Sequence, residues 1–449
     1  MRSLAPDTTR IAAGQGMTDA PLVRPATDIP AVEPAPAWRG GWRHGLSYGA
    51  LGLPLAFVAL PLYVVLPNHY ASTFGVPLAT LGALLLGARL LDAVADPWIG
   101  RLTDGWFRQS IQRALGVALL AALLLALGFR ALFFPPVQSG AALLWWCGGG
   151  LAVTYVNYSV VSVIHQAWGA GLGGDEGQRA RIVSWREGLA LAGVLVASVL
   201  PSVAGLGVST AVFAILLMLA TSLLWLAPRP VSQPASGPAP SMAFPLRTPA
   251  FRRLLSIYLV NGVASAVPAT LVLFFIRDRL QADAYEPLFL ASYFAAGALS
   301  MPLWVRLVGR FGLAPTWFGG MLLAVLTFAW ATTLGAGDVA AFTVVCVASG
   351  LALGADLSVP GALLAGVIQS AGHGRRLEGA YFGWWNFATK LNLALAAGIA
   401  LPLLAAFGYQ PGSRGPAGLQ ALTVAYCLLP CALKLSAATL LYIRWIRHA

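Results

Sequence analysis

The chain has 449 residues, of which 58% are hydrophobic and 10% charged, and its mean hydropathy is +0.75. A soluble domain carries roughly a quarter charged residues, so an ordinary globular protein is excluded, and the formal net charge of +12 is better explained by membrane topology than by nucleic-acid affinity. The four cysteines (Cys147, Cys346, Cys427, Cys431) each lie inside an apolar run; they make neither a disulfide framework nor a metal set.

Residues 1–40, rich in Pro, Ala, Thr and Asp, predict a disordered cytoplasmic head without the apolar core of a signal peptide. Met1 and Met17 both serve as candidate starts. Apolar segments follow at about 45–67, 76–101, 111–134, 140–170, 182–205 and 207–228. Each is long enough for the roughly 20 residues that cross a bilayer. A proline-rich stretch, 229–253, precedes six more at about 254–276, 285–308, 313–335, 339–370, 379–407 and 418–443. The expected fold is therefore an all-α membrane protein of 12 transmembrane helices. Its divisions are the head (1–40), an N-terminal six-helix bundle (41–228), a cytoplasmic linker (229–253) and a C-terminal six-helix bundle (254–449).

Arginines set the orientation. Arg101, Arg108, Arg113, Arg179 and Arg181, the linker arginines, Arg306, Arg310, Arg375 and Arg376 all fall on one side. Only Arg277, Arg279 and Arg414 clearly break the pattern. Both termini and the linker are thus expected in the cytoplasm. The halves also echo each other, as parallel transporter repeats do. DPWIGRLTDGWF after segment two matches MPLWVRLVGRFG after segment eight, and SWREGLALAG of segment five matches ATKLNLALAAG of segment eleven.

Charge in hydrocarbon costs at least about 2.5 kcal/mol per residue, so intramembrane charges mark chemistry. In segment two, Arg89, Asp92 and Asp96 are spaced i, i+3, i+7 and fall within about 60° of one another on a helix. A self-neutralised Arg89–Asp92 pair is one reading. Two carboxylates to one cation leave a spare negative charge, which a proton or alkali-ion site requires. Lys390 in segment eleven is one of two lysines in the chain and suits a switchable or a fixed partner for Asp92 or Asp96. The other, Lys434, is expected to snorkel or pair locally. Arg186 and Glu187 open segment five, and Asp356 sits in segment ten; with Arg89 they make up the expected charge network. Segment four presents Tyr155, Tyr158, Ser162, His165 and Gln166 as a polar stripe able to hydrogen-bond a hydroxylated solute, His165 either as a proton carrier or as a neutral bonded ring. Trp384, Trp385 and Asn386 adjoin Lys390; the tryptophans fit sugar rings or plain packing equally.

RLLDAVADPWIGRLTD, with YGALGLPLAFVALPLYVVLPNHYA before it and QRARIVSWREG, NGVASAVPATLVLFF and RRLEGAYFGWWNFATK after it, resembles the glycoside–pentoside–hexuronide:cation symporters. These form the melibiose-carrier branch of the major facilitator superfamily, and the resemblance covers about residues 45–445. It implies that fold, with Asp92 and Asp96 as cation ligands, Lys390 as the segment-eleven lysine twelve residues after Glu378, and Arg186 near the sugar. The sequence departs from the branch at Ser162, where a helix-four aspartate is expected. It departs again at Leu53 and Pro54, near the helix-one aspartate, and at Gly366 and Gln369, in place of an acidic pair. Sodium wants several oxygen ligands and a proton needs one carboxylate, so the departures favour H+ over Na+ as coupling ion.

The expected function is symport of a sugar, glycoside or similar solute across the inner membrane by a monomeric carrier without cofactor. A lysophospholipid or other amphipathic lipid is the alternative substrate, and a non-transporting scaffold the alternative class. No HExxH motif, GxSxG elbow or phosphate loop points to an enzyme.

Overall fold

Every regular element among the described residues is helical. The computed structural model describes Trp38 and residues 41–230, 241–409, 412 and 415–448; the expected disordered head, Trp38 apart, and linker residues 231–240 lie outside them. Trp38 is buried edge-on against Tyr48. The helices are α1 (Trp42–Phe74), α2 (Leu78–Gln109), α3 (Ile111–Phe133), α4 (Gly140–Gly171) and α5 (Glu176–Leu223). After the linker come α6 (Pro249–Phe274), α7 (Glu286–Phe311), α8 (Leu313–Ala331) and α9 (Val339–Ser370). The chain closes with α10 (Glu378–Ala406) and α11 (Pro416–Arg444).

Among the described residues ten helices, rather than the expected twelve, are long and apolar enough to cross a membrane. Two features account for the difference. Segment two is α2, whose 32 residues include Arg89, Asp92, Asp96, Arg101, Asp104 and Arg108; it is not one of the ten. Segments five and six run together as α5, 48 residues with a non-helical Gly205 at φ +78°. A straight helix of that length would measure about 72 Å, more than twice the ~30 Å hydrocarbon core. The chain turns at Gly205, where only glycine takes the left-handed backbone freely.

Polarity is distributed as lipid solvent demands. Trp145, Val203 and Leu299 are among the most exposed side chains, while Asp92, Asp96, Asp104 and Lys434 are buried. The chain is a multi-pass membrane protein. Across the halves, α10 packs on α2 and α4, and α5 packs on α7 and α9. The sequence echo relates segment two to eight and five to eleven. Under that exchange the α2–α10 pair becomes α7–α5, and both pairs are present. Glycines permit the closest approach: a Cβ on Gly100 would collide with the Gly379 carbonyl, and one on Gly383 with the Asp96 carbonyl. Either substitution would push α2 and α10 apart.

Candidate functional site

Three helices bring one cluster together midway along α2. Lys390 Nζ on α10 lies 2.7 Å from Asp92 Oδ2 and 2.8 Å from Asp96 Oδ2, both on α2. It also donates to Ser159 Oγ on α4 at 2.9 Å, and Ser159 donates to Asp92 Oδ1 at 2.8 Å. Asp92 thus keeps a hydrogen bond and an ion contact. Asp96 is fully buried, and neither of its oxygens has a hydrogen bond; the Lys390 contact has ion-pair distance without hydrogen-bond geometry. Arg89 shares the helical face but not the cluster. Its guanidinium stacks on the Tyr63 ring of α1 at 3.8 Å, so the Arg89–Asp92 pair is not formed.

The other charges of the expected network form two separate pairs. Arg186 and Glu187 are joined to each other at 2.6 Å. Asp356 pairs with Lys434 at 2.5 Å, so of the two expectations for Lys434, snorkelling or pairing, pairing is the one formed. That second cluster is saturated. Asp356 accepts from Asn261, Ser265, Trp317 and Lys434, and the lysine spends its three donors on Asn261, Ser265 and Asp356. A carboxylate has about four acceptor sites and an ammonium three donors, so nothing remains for a ligand. Arg186 pairs with Glu187 and Lys434 with Asp356, while Asp92 and Asp96 share Lys390. The fourth cation, Arg89, stacks on Tyr63 and touches neither carboxylate, so the three-residue cluster carries two anions on one cation.

The Asp92–Lys390 cluster forms one wall of a cavity between the halves, with about 340 Å³ open to the centres of water-sized molecules. Tyr155, Tyr158, Ser162 and Gln166 of the predicted stripe line it, as do Arg186, Glu187, Asp356, Trp385 and Asn386. His165 and Trp384 do not. His165 sits at the edge of the stripe and is buried against α1, with Nε2 2.8 Å from the Tyr48 carbonyl. Trp384 is about 100° from Trp385 around α10 and instead donates to the Met242 carbonyl at 3.0 Å. Sequence reasoning missed Ser159, Tyr258 and Thr389. Tyr258 stacks on Trp385 with ring centroids 3.7 Å apart and donates to or accepts from Thr389 Oγ1 at 2.8 Å. This makes a flat aromatic face beside Lys390.

Hydrogen bonds bridging α1–α5 and α6–α11 occur at two levels among the described residues. One is the Lys390 cluster. The other is the arginine-rich end, where Arg179 donates to Gln369 at 2.8 Å and Glu176 accepts the Leu313 N–H at 2.8 Å. There Asp104 also accepts the Gly379 and Ala380 N–H groups at 2.7 and 2.9 Å, capping the first turn of α10. No such bond joins the opposite ends among the described residues. The halves are therefore tied together at the arginine-rich end.

Comparison with known proteins agrees with this architecture. The family model described as MFS/sugar transport protein matches residues 47–446. The putative glycoside/cation symporter YagG of Escherichia coli is 24% identical over 86% of this chain and 88% of its own. The inner membrane symporter YicJ of the same organism is 30% identical, but over only 35% of this chain and 33% of its own. The mouse sphingosine-1-phosphate transporter MFSD2B is 25% identical over 89% of this chain and 87% of its own. In fold, the chain is similar to the transporter FucP (TM-score 0.65, 13% identity, 88% of this chain and 98% of that one). A bacterial homologue of the iron transporter ferroportin gives a TM-score of 0.69 at 15% identity, over 90% of this chain and 99% of that one.

Proposed function

The chain belongs to the MFS/sugar transport protein family, a family of secondary transporters, and we propose that it is a cation-coupled symporter for a glycoside or related sugar. The observation that carries this reading is Asp96, a buried carboxylate that accepts no hydrogen bond and shares its one cation, Lys390, with Asp92. A proton on Asp96 breaks no hydrogen bond and leaves Lys390 fully committed to Asp92. With Asp96 neutral, Lys390 no longer bridges two carboxylates of α2 from α10, and the halves can rock about the cavity. The proposed ion is H+, one per cycle. Solute and proton then raise each other's affinity by one factor.

In this reading the arginine-rich end faces the cytoplasm across the inner membrane, the cavity opens outward, and the carrier works as a monomer. Solute hydroxyls meet Tyr155, Ser162, Gln166 and the Arg186–Glu187 pair, while a sugar ring lies against Trp385. Uptake of a panel of radiolabelled glycosides into proteoliposomes, with pH and sodium gradients imposed separately, tests the proposal. Uptake driven by the pH gradient supports it; uptake indifferent to both gradients contradicts it. A lipid substrate is the second reading, favoured by the similarity to the sphingosine-1-phosphate transporter over most of both chains. Competition between lysolipids and glycosides for binding separates the two. A scaffold has no use for a buried carboxylate that accepts no hydrogen bond.

A further inference from the structure

Trp38 lies ahead of Trp42, the first residue of α1, yet it is only 2% exposed. The rings of His44 and Tyr48 meet it edge-on, with centroids 6.0 and 6.2 Å away. Tyr48 is itself fully buried, and its hydroxyl donates to the His165 carbonyl of α4 at 3.2 Å. A buried indole N–H usually finds a partner, but Nε1 of Trp38 has none. Apolar burial, rather than a polar contact, holds this side chain.

The Trp38 carbonyl accepts a long hydrogen bond, 3.4 Å, from the side-chain amide of Gln178. Gln178 closes the first turn of α5: its N–H donates to Asp175 Oδ1 at 2.7 Å, and its Oε1 accepts the Asp175 N–H at 3.3 Å. This is a reciprocal capping box. Its neighbours Glu176 and Arg179 make the bonds to Leu313 and Gln369 that tie the halves at the arginine-rich end. The contacts of Trp38 to His44, Tyr48 and Gln178 all lie within the N-terminal half, so they persist when the halves rock. The two ties do not. A contact biases an equilibrium only through what differs between its states, so Trp38 acts through the turn. A turn that is already fixed loses less entropy on making both ties. We infer that Trp38 is a positioning residue for transport: by fixing the first turn of α5 it favours the state in which the arginine-rich end is tied. This rests on the rocking of the halves in the reading above, and on neither the proton nor the glycoside.

Two cysteine reporters, each placed singly in the full chain, test it in membrane vesicles of each sidedness with an impermeant thiosulfonate. Tyr258→Cys lies in the large cavity and is labelled from outside. Ala365→Cys replaces a buried residue in a small space that Arg179 also lines, and is labelled from the arginine-rich side. Rates are read over those of the four native cysteines, all buried. Trp38→Ala should raise labelling of Ala365→Cys several-fold and lower that of Tyr258→Cys several-fold. Trp38→Phe, which keeps an aromatic ring against Tyr48, should return both rates toward the parent's. Any pattern in Trp38→Ala other than opposed changes overturns the inference; a fold that is merely loosened raises both rates. If Trp38→Ala fails to fold, Trp38→Leu keeps apolar bulk without the ring and is read by the same criterion. No solute is present in the assay. Opposed changes therefore stand even if no glycoside is carried, and their absence leaves the symporter reading untouched.

Discussion

Two buried carboxylates in this protein should respond unequally to the same change. Asp356→Asn removes the anion from a saturated cluster, and the Lys434 ammonium, with a side chain 7% exposed, is left without a counter-charge. Breaking a buried pair in this way costs about 3–5 kcal/mol, and the four hydrogen bonds that Asp356 accepts are weakened with it. Asp96→Asn removes a carboxylate that accepts no hydrogen bond and leaves Lys390 paired with Asp92. Its loss of attraction to Lys390 is offset by the loss of repulsion from Asp92, so the net change should stay within about 1 kcal/mol. For a chain of this size about 4 kcal/mol corresponds to roughly 5 °C in Tm. Thermal unfolding of detergent-solubilised variants, followed by tryptophan fluorescence, reads the difference. Asp356→Asn should fall by several degrees and Asp96→Asn should stay near the parent. A fall in Asp96→Asn as large as that in Asp356→Asn would refute the reasoning, because Asp96 would then be a structural partner and no spare charge would exist.

Other consequences concern the seal and the aromatic face. Glu176→Ala with Arg179→Ala removes two of the contacts at the arginine-rich end, so the cavity should close outward more often. A cysteine placed at Tyr258 should react several-fold more slowly with an impermeant thiosulfonate added outside, and unchanged reactivity would count against the seal. Trp385→Ala removes the ring stacked on Tyr258 and should weaken glycoside binding about 10-fold or more without changing the pH dependence of uptake. A shift in that pH dependence would place Trp385 in the coupling cluster instead.

Much of this site was legible from a few residues. Asp92 and Asp96 stood out because charge inside hydrocarbon needs a reason, and Lys390 because lysine is rare in a chain that uses arginine. What stayed hidden was which charge meets which. Arg89, Asp92 and Asp96 share a helical face, yet Arg89 turns to Tyr63 on another helix, and periodicity carries no information on such a choice. The Asp356–Lys434 pair joins segments ten and twelve, 78 residues apart, and no local pattern encodes it. Ser159 was within reach of the pattern, since it sits four residues after Tyr155 on the same stripe. Trp384 was misplaced by adjacency: consecutive helical residues diverge by about 100°, and only one of a tryptophan pair can face the cavity. The helix count fell short of twelve at the two places where composition alone misleads, a span full of charge and a turn made by a single glycine.

The central claim is that Asp96 carries one coupling proton per cycle, and accumulation at a fixed pH gradient tests it most directly. One proton per solute stores 1.36 kcal/mol per pH unit, about tenfold accumulation, when the membrane potential is clamped to zero. Proteoliposomes of the parent chain should therefore concentrate a transported glycoside about tenfold at one pH unit, acid outside. Asp96→Asn should equilibrate the same glycoside across the membrane without concentrating it. Concentration by Asp96→Asn equal to that of the parent would contradict the account.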